Sequence, residues 1–209
     1  LRKSEFLVVP GAGNEVVACA EFTFPEEGMA HLAYLAVDPG QRGRGIATQL
    51  IREFILHHAE VHSVDLEVFS DNKPARKLYA GMGFVTEAGS TWRSRELPEP
   101  RGHLDVRDPG DSLTTHTKFG FSQFQVECEK GWITLGRLGE DVVRTYAAEI
   151  FDDVTLLAAV RELFPSMTTA FIIDGASNAA RVSGPHTVLA ESTKMRLQLV
   201  GSPNASEGL

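Results

Sequence analysis

The chain has 209 residues, 43% of them hydrophobic and 23% charged, with a mean hydropathy of −0.10. That is enough apolar material for one large domain or two small ones, and it excludes wholesale disorder. Twenty Lys and Arg against 28 Asp and Glu give a net charge of −8, which argues against a nucleic-acid backbone binder, because such binding needs a basic field.

Two cysteines, Cys19 and Cys128, are too few for a zinc site or a disulfide framework. No apolar stretch approaches the ~20 residues of a membrane span, and no signal sequence is evident. The expectation is a cytoplasmic protein with no nucleic-acid or membrane partner. Leu1 rather than methionine opens the chain, which leaves room for an upstream segment.

In chain order, Phe6–Pro10 and Val16–Phe24 read as a hairpin about the turn at 11–14, and a third strand follows from His31 to Val37. Asp38-Pro39-Gly40 ends it. Ile46, Leu50, Phe54 and His58 then recur every four residues, beside Ile51 and Ile55, which predicts an amphipathic helix to about Glu60. Val64, Leu66 and Val68 alternate with Asp65, Glu67 and Phe69 as in a strand. Pro74 suits the first turn of a helix and Gly83 its C-terminal cap. Extended structure returns from Phe84 to Leu97.

Residues 98–118 are rich in proline and charge and read as a linker, with a short strand at His103–Val106. Beyond it, Phe121–Glu127 and Trp132–Leu138 form a hairpin. Val142, Tyr146, Ile150, Val154, Leu157, Val160 and Phe164 predict one long amphipathic helix, stopped by Pro165. Strands follow at Thr169–Asp174 and Met195–Val200, and the last eight residues read as a loose tail.

The chemistry concentrates in Val37-Asp38-Pro39-Gly40-Gln41-Arg42-Gly43-Arg44-Gly45-Ile46-Ala47. A strand ends, a glycine-rich turn follows, and a helix begins at once. The first amides of a helix have no partners and carry partial positive charge. Glycines let an anion approach those amides with no Cβ in the way. The pattern predicts a phosphate or diphosphate cradle with Arg42 and Arg44 at its rim. Neither Gly-Lys-Ser/Thr nor G-x-G-x-x-G is present, so Walker and dinucleotide-fold readings fail.

Arg42-x-x-Gly45-x-Ala47 resembles the Arg/Gln-x-x-Gly-x-Gly/Ala motif of the GCN5-related N-acetyltransferases (GNAT). The preceding Val37-x-Pro39 and the downstream Asn72-x-x-Ala75-x-x-Leu78-Tyr79-x-x-x-Gly83-Phe84 are similar to the same family. The resemblance covers about residues 5–97. It implies an α+β fold with a central mixed, mostly antiparallel sheet flanked by helices, followed here by a second, smaller α+β lobe. The expected organisation is an acetyl-coenzyme A-binding domain at 1–97, a linker at 98–118 and a C-terminal domain at 119–209. The family's usual first strand and two helices are missing ahead of Phe6.

The resemblance implies N-acetyl transfer from acetyl-CoA, as co-substrate, to a primary amine of a small molecule or peptide, by direct attack. The diphosphate would rest on the amides of Arg42, Gly43, Arg44, Gly45, Ile46 and Ala47. The backbone of Leu35, Ala36 and Val37 would pair with the pantetheine arm. Tyr79 falls where the family commonly keeps a general acid, and Asn72 would cap its helix or bond the pantetheine.

Glu67 is a candidate base, with Glu21, His31 and Tyr34 as further candidates. His57, His58 and His62 lack a cysteine or carboxylate to complete a site, so no metal is expected. The alternative function is a non-catalytic acyl-CoA-binding or sensing module with the same fold.

A second register within the chain sets Gly28 on Gly131, Leu32 on Leu135, Leu35 on Leu138, Asp71 on Asp174 and Arg93 on Arg196. The second half therefore reads as a degenerate copy of the first, or else as an unrelated α+β cap. In the copy, Gln41–Ala47 maps onto Arg144–Ile150, which has no glycine. Such a half would cover a sheet edge, line the acceptor site or form a homodimer.

Overall fold

The computed structural model describes residues 4–13, 15–107, 109–175 and 182–199. In chain order the first elements are β1 (Ser4–Pro10), β2 (Val16–Glu26), β3 (Met29–Val37), a 3-10 turn at Pro39–Gln41, α1 (Ile46–His57), β4 (Ser63–Phe69), α2 (Lys73–Gly81) and β5 (Val85–Glu96). They are followed by β6 (Val106–Arg107), α3 (Pro109–Phe119), β7 (Phe121–Cys128), β8 (Gly131–Leu138), β9 (Val142–Arg144), α4 (Ala148–Phe151), α5 (Val154–Leu163), β10 (Thr169–Gly175) and β11 (Thr187–Gln198).

The chain forms two compact units, Leu1–Ala88 with Ser192–Leu209, and Gly89–Glu191. These divisions differ from the 97/98 and 118/119 boundaries that composition predicts. The chain changes unit inside two long strands, β5 and β11, at Ala88/Gly89 and Glu191/Ser192, and a boundary within a continuous strand has no proline- and charge-rich linker to mark it in the sequence.

In the first unit the strand order is β1-β2-β3-β4-β11, antiparallel throughout except for the parallel pair β3–β4. Its core gathers Phe22, Phe54, Ile51, Val64, Leu66 and Tyr79 between this sheet and the two helices. Phe22 and Phe54 are stacked with ring centroids 3.6 Å apart, and both are fully buried. Burial of that size stabilises by about 1.5–3 kcal/mol per side chain. The four-residue apolar spacing of α1 thus produces its buried stripe of Leu50, Ile51 and Phe54.

In the second unit the order is β5-β10-β9-β8-β7-β6, and β9–β10 is the parallel pair. Its core is built on Phe124, Leu135, Phe151, Leu157, Val160 and Ile172. Each unit places beside the second strand of its parallel pair a strand from elsewhere in the chain: β11 beside β4, and β5 beside β10. On this topology the counterpart of β3 is β9. The sequence register that set β3 against β8 (Leu32 on Leu135, Leu35 on Leu138) is corrected accordingly.

Three element expectations also change. The single long helix over 142–164 is instead β9, α4 and α5. Val142 and Val143 pair with Thr169 and Ala170, and β-branched residues favour such a ladder. Asp153 starts α5 afresh by accepting a hydrogen bond from the Leu156 amide at 2.9 Å. Within the expected linker 98–118, residues Val106–Arg107 pair with β7 and Pro109 opens α3. β11 begins at Thr187, well before Met195, while Val200 and the tail lie outside the described residues.

Candidate active site

A β-bulge in β3 creates the site. Glu21 pairs with Tyr34, but the next residue of β2, Phe22, pairs with Leu32, so Ala33 is extra. A bulge of this kind reverses which face each following residue takes. Ala30 and Leu32 are buried before it, Leu35 and Val37 pack against the core after it, and Tyr34 is 71% exposed. The parallel ladder to β4 ends at the same place, with Leu32 opposite Leu66 as its last pair. Beyond that point β3 and β4 part, and a cavity of about 860 Å³ opens in the first unit.

One end of the cavity is the loop between β3 and α1. Gly43 and Gly45 have φ of +76° and +81°, and a Cβ at either position would meet nothing within 4 Å. This left-handed backbone suits glycine and costs other residues energy. Gly45 is the N-cap of the 12-residue helix α1, which has no side-chain cap and no acidic residue in its first turn. Its first amides therefore face the open space. Arg42 donates from Nε to the Val37 carbonyl at 3.0 Å, and Asp38 accepts from the Gly40 amide at 2.8 Å, which tie the loop to the strand end.

Leu35, Ala36, Val37, Arg42, Gly43, Gly45, Ile46, Ala47, Glu67, Asn72 and Tyr79 all line this cavity. Arg44 is exposed beside it and is not part of the lining. Asn72 accepts a hydrogen bond from the Ala75 amide at 3.2 Å and so caps α2 with its oxygen. Its Nδ2 hydrogens are the remaining donors.

Tyr79 is 7% exposed and packs against the Phe84 ring. Burial pushes its phenol above the ordinary value of 10.0, which keeps the proton on oxygen at neutral pH.

Of the base candidates, Glu67 and Tyr34 line the cavity and Glu21 and His31 do not. His31 instead bonds through Nδ1 to Asp65 at 2.7 Å. Lys194 Nζ also reaches Asp65, at 2.8 Å, and Arg196 lies at 3.6 Å from it and 3.1 Å from Glu87. Burial alone would raise the Asp65 carboxyl, but hydrogen bonds and charges from His31 and Lys194 outweigh it and hold the pKa at about 2. Sequence reading gave Ser192, Lys194 and Arg196 no place at the site. They reach β4 from the far end of the chain, and a single sequence carries no signal for such a pairing.

In the second unit the parallel pair does not part as β3 and β4 do. β9 stays paired to β10 along its whole length, and the Thr145 amide continues the pairing by donating to the Phe171 carbonyl at 2.8 Å. The Asp153 carboxylate occupies the N-terminus of α5. Among the described residues, no three His, Cys, Asp or Glu side chains cluster as metal ligands. No helix among them is long and apolar enough to cross a membrane.

Comparison with known proteins agrees with this geometry. Residues 1–84 match the model of the acetyltransferase (GNAT) family. A 64-residue stretch is 41% identical to a mycothiol acetyltransferase of Kineococcus radiotolerans, covering 30% of this chain and 21% of that protein. The match thus spans about a fifth of that relative's length.

Among solved structures, a tandem GNAT protein from the clavulanic acid biosynthesis pathway superposes with a TM-score of 0.64 at 13% identity, over 94% of this chain and 83% of that one. A GCN5-related N-acetyltransferase from Sphaerobacter thermophilus gives 0.56 at 14% identity, over 93% and 80%. Residues 1–84 are a GNAT-family acetyltransferase domain. The chain has the GNAT fold, and its likeness to a tandem GNAT protein extends through the second lobe.

Proposed function

We propose that the protein is an N-acetyltransferase that moves an acetyl group from acetyl-CoA to a primary amine, with one site per chain, in the first unit. The observation that carries this reading is the open cradle at Gly43–Ala47, where uncapped helix amides face space that any Cβ would occupy. A diphosphate fits that space, since helix amides and dipole favour an anion and Arg42 lines the same wall. Over Leu35–Val37 the edge of β3 no longer pairs with β4, and its backbone groups there, apart from the Val37 carbonyl that already accepts from Arg42, suit an extended pantetheine amide chain. Acetyl-CoA, when bound, supplies the acetyl group as an activated thioester.

Glu67 accepts the proton that the attacking amine must lose. Tyr79, kept neutral by burial, donates its phenolic proton to the departing sulfur. Nitrogen–carbon bond formation and carbon–sulfur cleavage then leave an amide and a neutral thiol. The carboxylate of Glu67 and the exposed ring of Tyr34 mark the acceptor end of the cavity and suit a cationic amine.

The test is a panel of acceptors (a polyamine, an aminoglycoside, free amino acids and a peptide with a free amino terminus) with acetyl-CoA, monitoring free thiol. Thiol release with at least one amine supports the proposal. Tight coenzyme A binding with no turnover on any amine would replace it with a non-catalytic acyl-CoA sensor.

A further inference from the structure

β11 enters the first unit at Ser192 and runs antiparallel along β4, with Ser192 opposite Phe69, Lys194 opposite Glu67 and Arg196 opposite Asp65. Residues directly opposite in an antiparallel pair share a face. Lys194 would therefore be the natural counter-charge for Glu67, but it is turned to Asp65 at 2.8 Å. Among the described residues no cation lies within ion-pair distance of the Glu67 carboxylate. What reaches it is a hydroxyl: Ser192 Oγ donates to Glu67 Oε1 at 2.6 Å. Ser192 is only 3% exposed, so this donor sits in the sheet interior, while Glu67 lies exposed at the cavity wall.

We infer that Ser192 is a positioning residue for Glu67, and the inference rests on the role proposed above for that carboxylate. A short hydrogen bond to an anion is directional. It fixes the carboxylate plane by one oxygen and leaves Oε2 to take the amine proton. A lysine in the same place would compete for both oxygens and weaken the base. The segment that completes catalysis thus comes from the end of the chain, more than a hundred residues after the coenzyme loop in sequence.

The experiment uses the full chain and the fastest acceptor of the panel, with Ser192→Ala, Ser192→Thr, Glu67→Gln and the Ser192→Ala/Glu67→Gln pair. Ser192→Ala is expected to lower kcat about 5- to 20-fold with KM for acetyl-CoA unchanged. Ser192→Thr, which keeps the donor, restores most of the rate, and in the Glu67→Gln background Ser192→Ala has no further effect. Ser192→Cys, close in size and a weak donor, gives an intermediate loss and serves if the alanine variant folds poorly.

The inference is overturned if Ser192→Ala keeps full kcat while Glu67→Gln is impaired, or if its loss recurs undiminished in the Glu67→Gln background. Full activity of Glu67→Gln, with chemistry limiting, instead removes Glu67 as the base, and the positioning role goes with it.

Discussion

Gly45→Glu tests the cradle most directly. At φ +81° a residue with a Cβ is strained by roughly 1–2 kcal/mol, and this cost falls on the fold whether or not coenzyme is bound. The new side chain meets nothing within 4 Å at its Cβ, so no clash adds to it. The charge acts on binding alone. A carboxylate about 5 Å from a diphosphate, at an effective dielectric near 20, repels it by about 3 kcal/mol per unit charge.

Exposure of the loop and ordinary salt reduce that to roughly 1.5–3 kcal/mol, a ~10- to 100-fold rise in Kd for coenzyme A. Calorimetry of wild type, Gly45→Ala and Gly45→Glu at two salt concentrations separates the parts. Both variants lose similar stability, but only the glutamate shows a large, salt-dependent loss of affinity. An unchanged Kd in a folded Gly45→Glu protein would refute the placement of the diphosphate at this helix end.

Tyr79→Phe should keep coenzyme A affinity within about two-fold and lower kcat about 10- to 100-fold, read as thiol release under chemistry-limited conditions. Asp65→Asn should cost about 2 kcal/mol at pH 7, because the folded carboxyl titrates at about 2 against 3.8 in the unfolded chain. That stabilisation is complete above pH 3.8 and disappears as pH falls through 2. Urea midpoints of mutant and wild type should therefore differ at neutral pH and converge at pH 2; equal midpoints at pH 7 would contradict the ion-pair account. Asn72→Ala removes the α2 cap and should lower the melting temperature by an amount matching about 1 kcal/mol.

The local features of this protein were open to sequence reasoning because each has a local cause. Gly43, Gly45 and the run of apolar residues after them define a loop and helix start within a few residues. The alternation of Val64, Leu66 and Val68 marks a strand, and Asn72 with Pro74 marks a helix start. The overreach at Val142–Phe164 had a local cause too. A four-residue spacing of apolar side chains fits a helix and also a short strand followed by two helices, and only pairing with Thr169–Phe171 decides between them.

The glycine-rich turn running straight into a helix at Gly43–Ala47 is legible from the residues alone, because glycine's conformational freedom and the apolar spacing after it are local properties of the chain. How β3 parts from β4 emerges on folding alone, because the bulge at Ala33 depends on what Glu21 and Phe22 pair with. Folding also sets which residues stand beside Glu67 and Asp65. Ser192, Lys194 and Arg196 arrive there through strand pairing across more than a hundred residues, and hydrogen bonds between distant strands leave no periodicity in the chain that makes them.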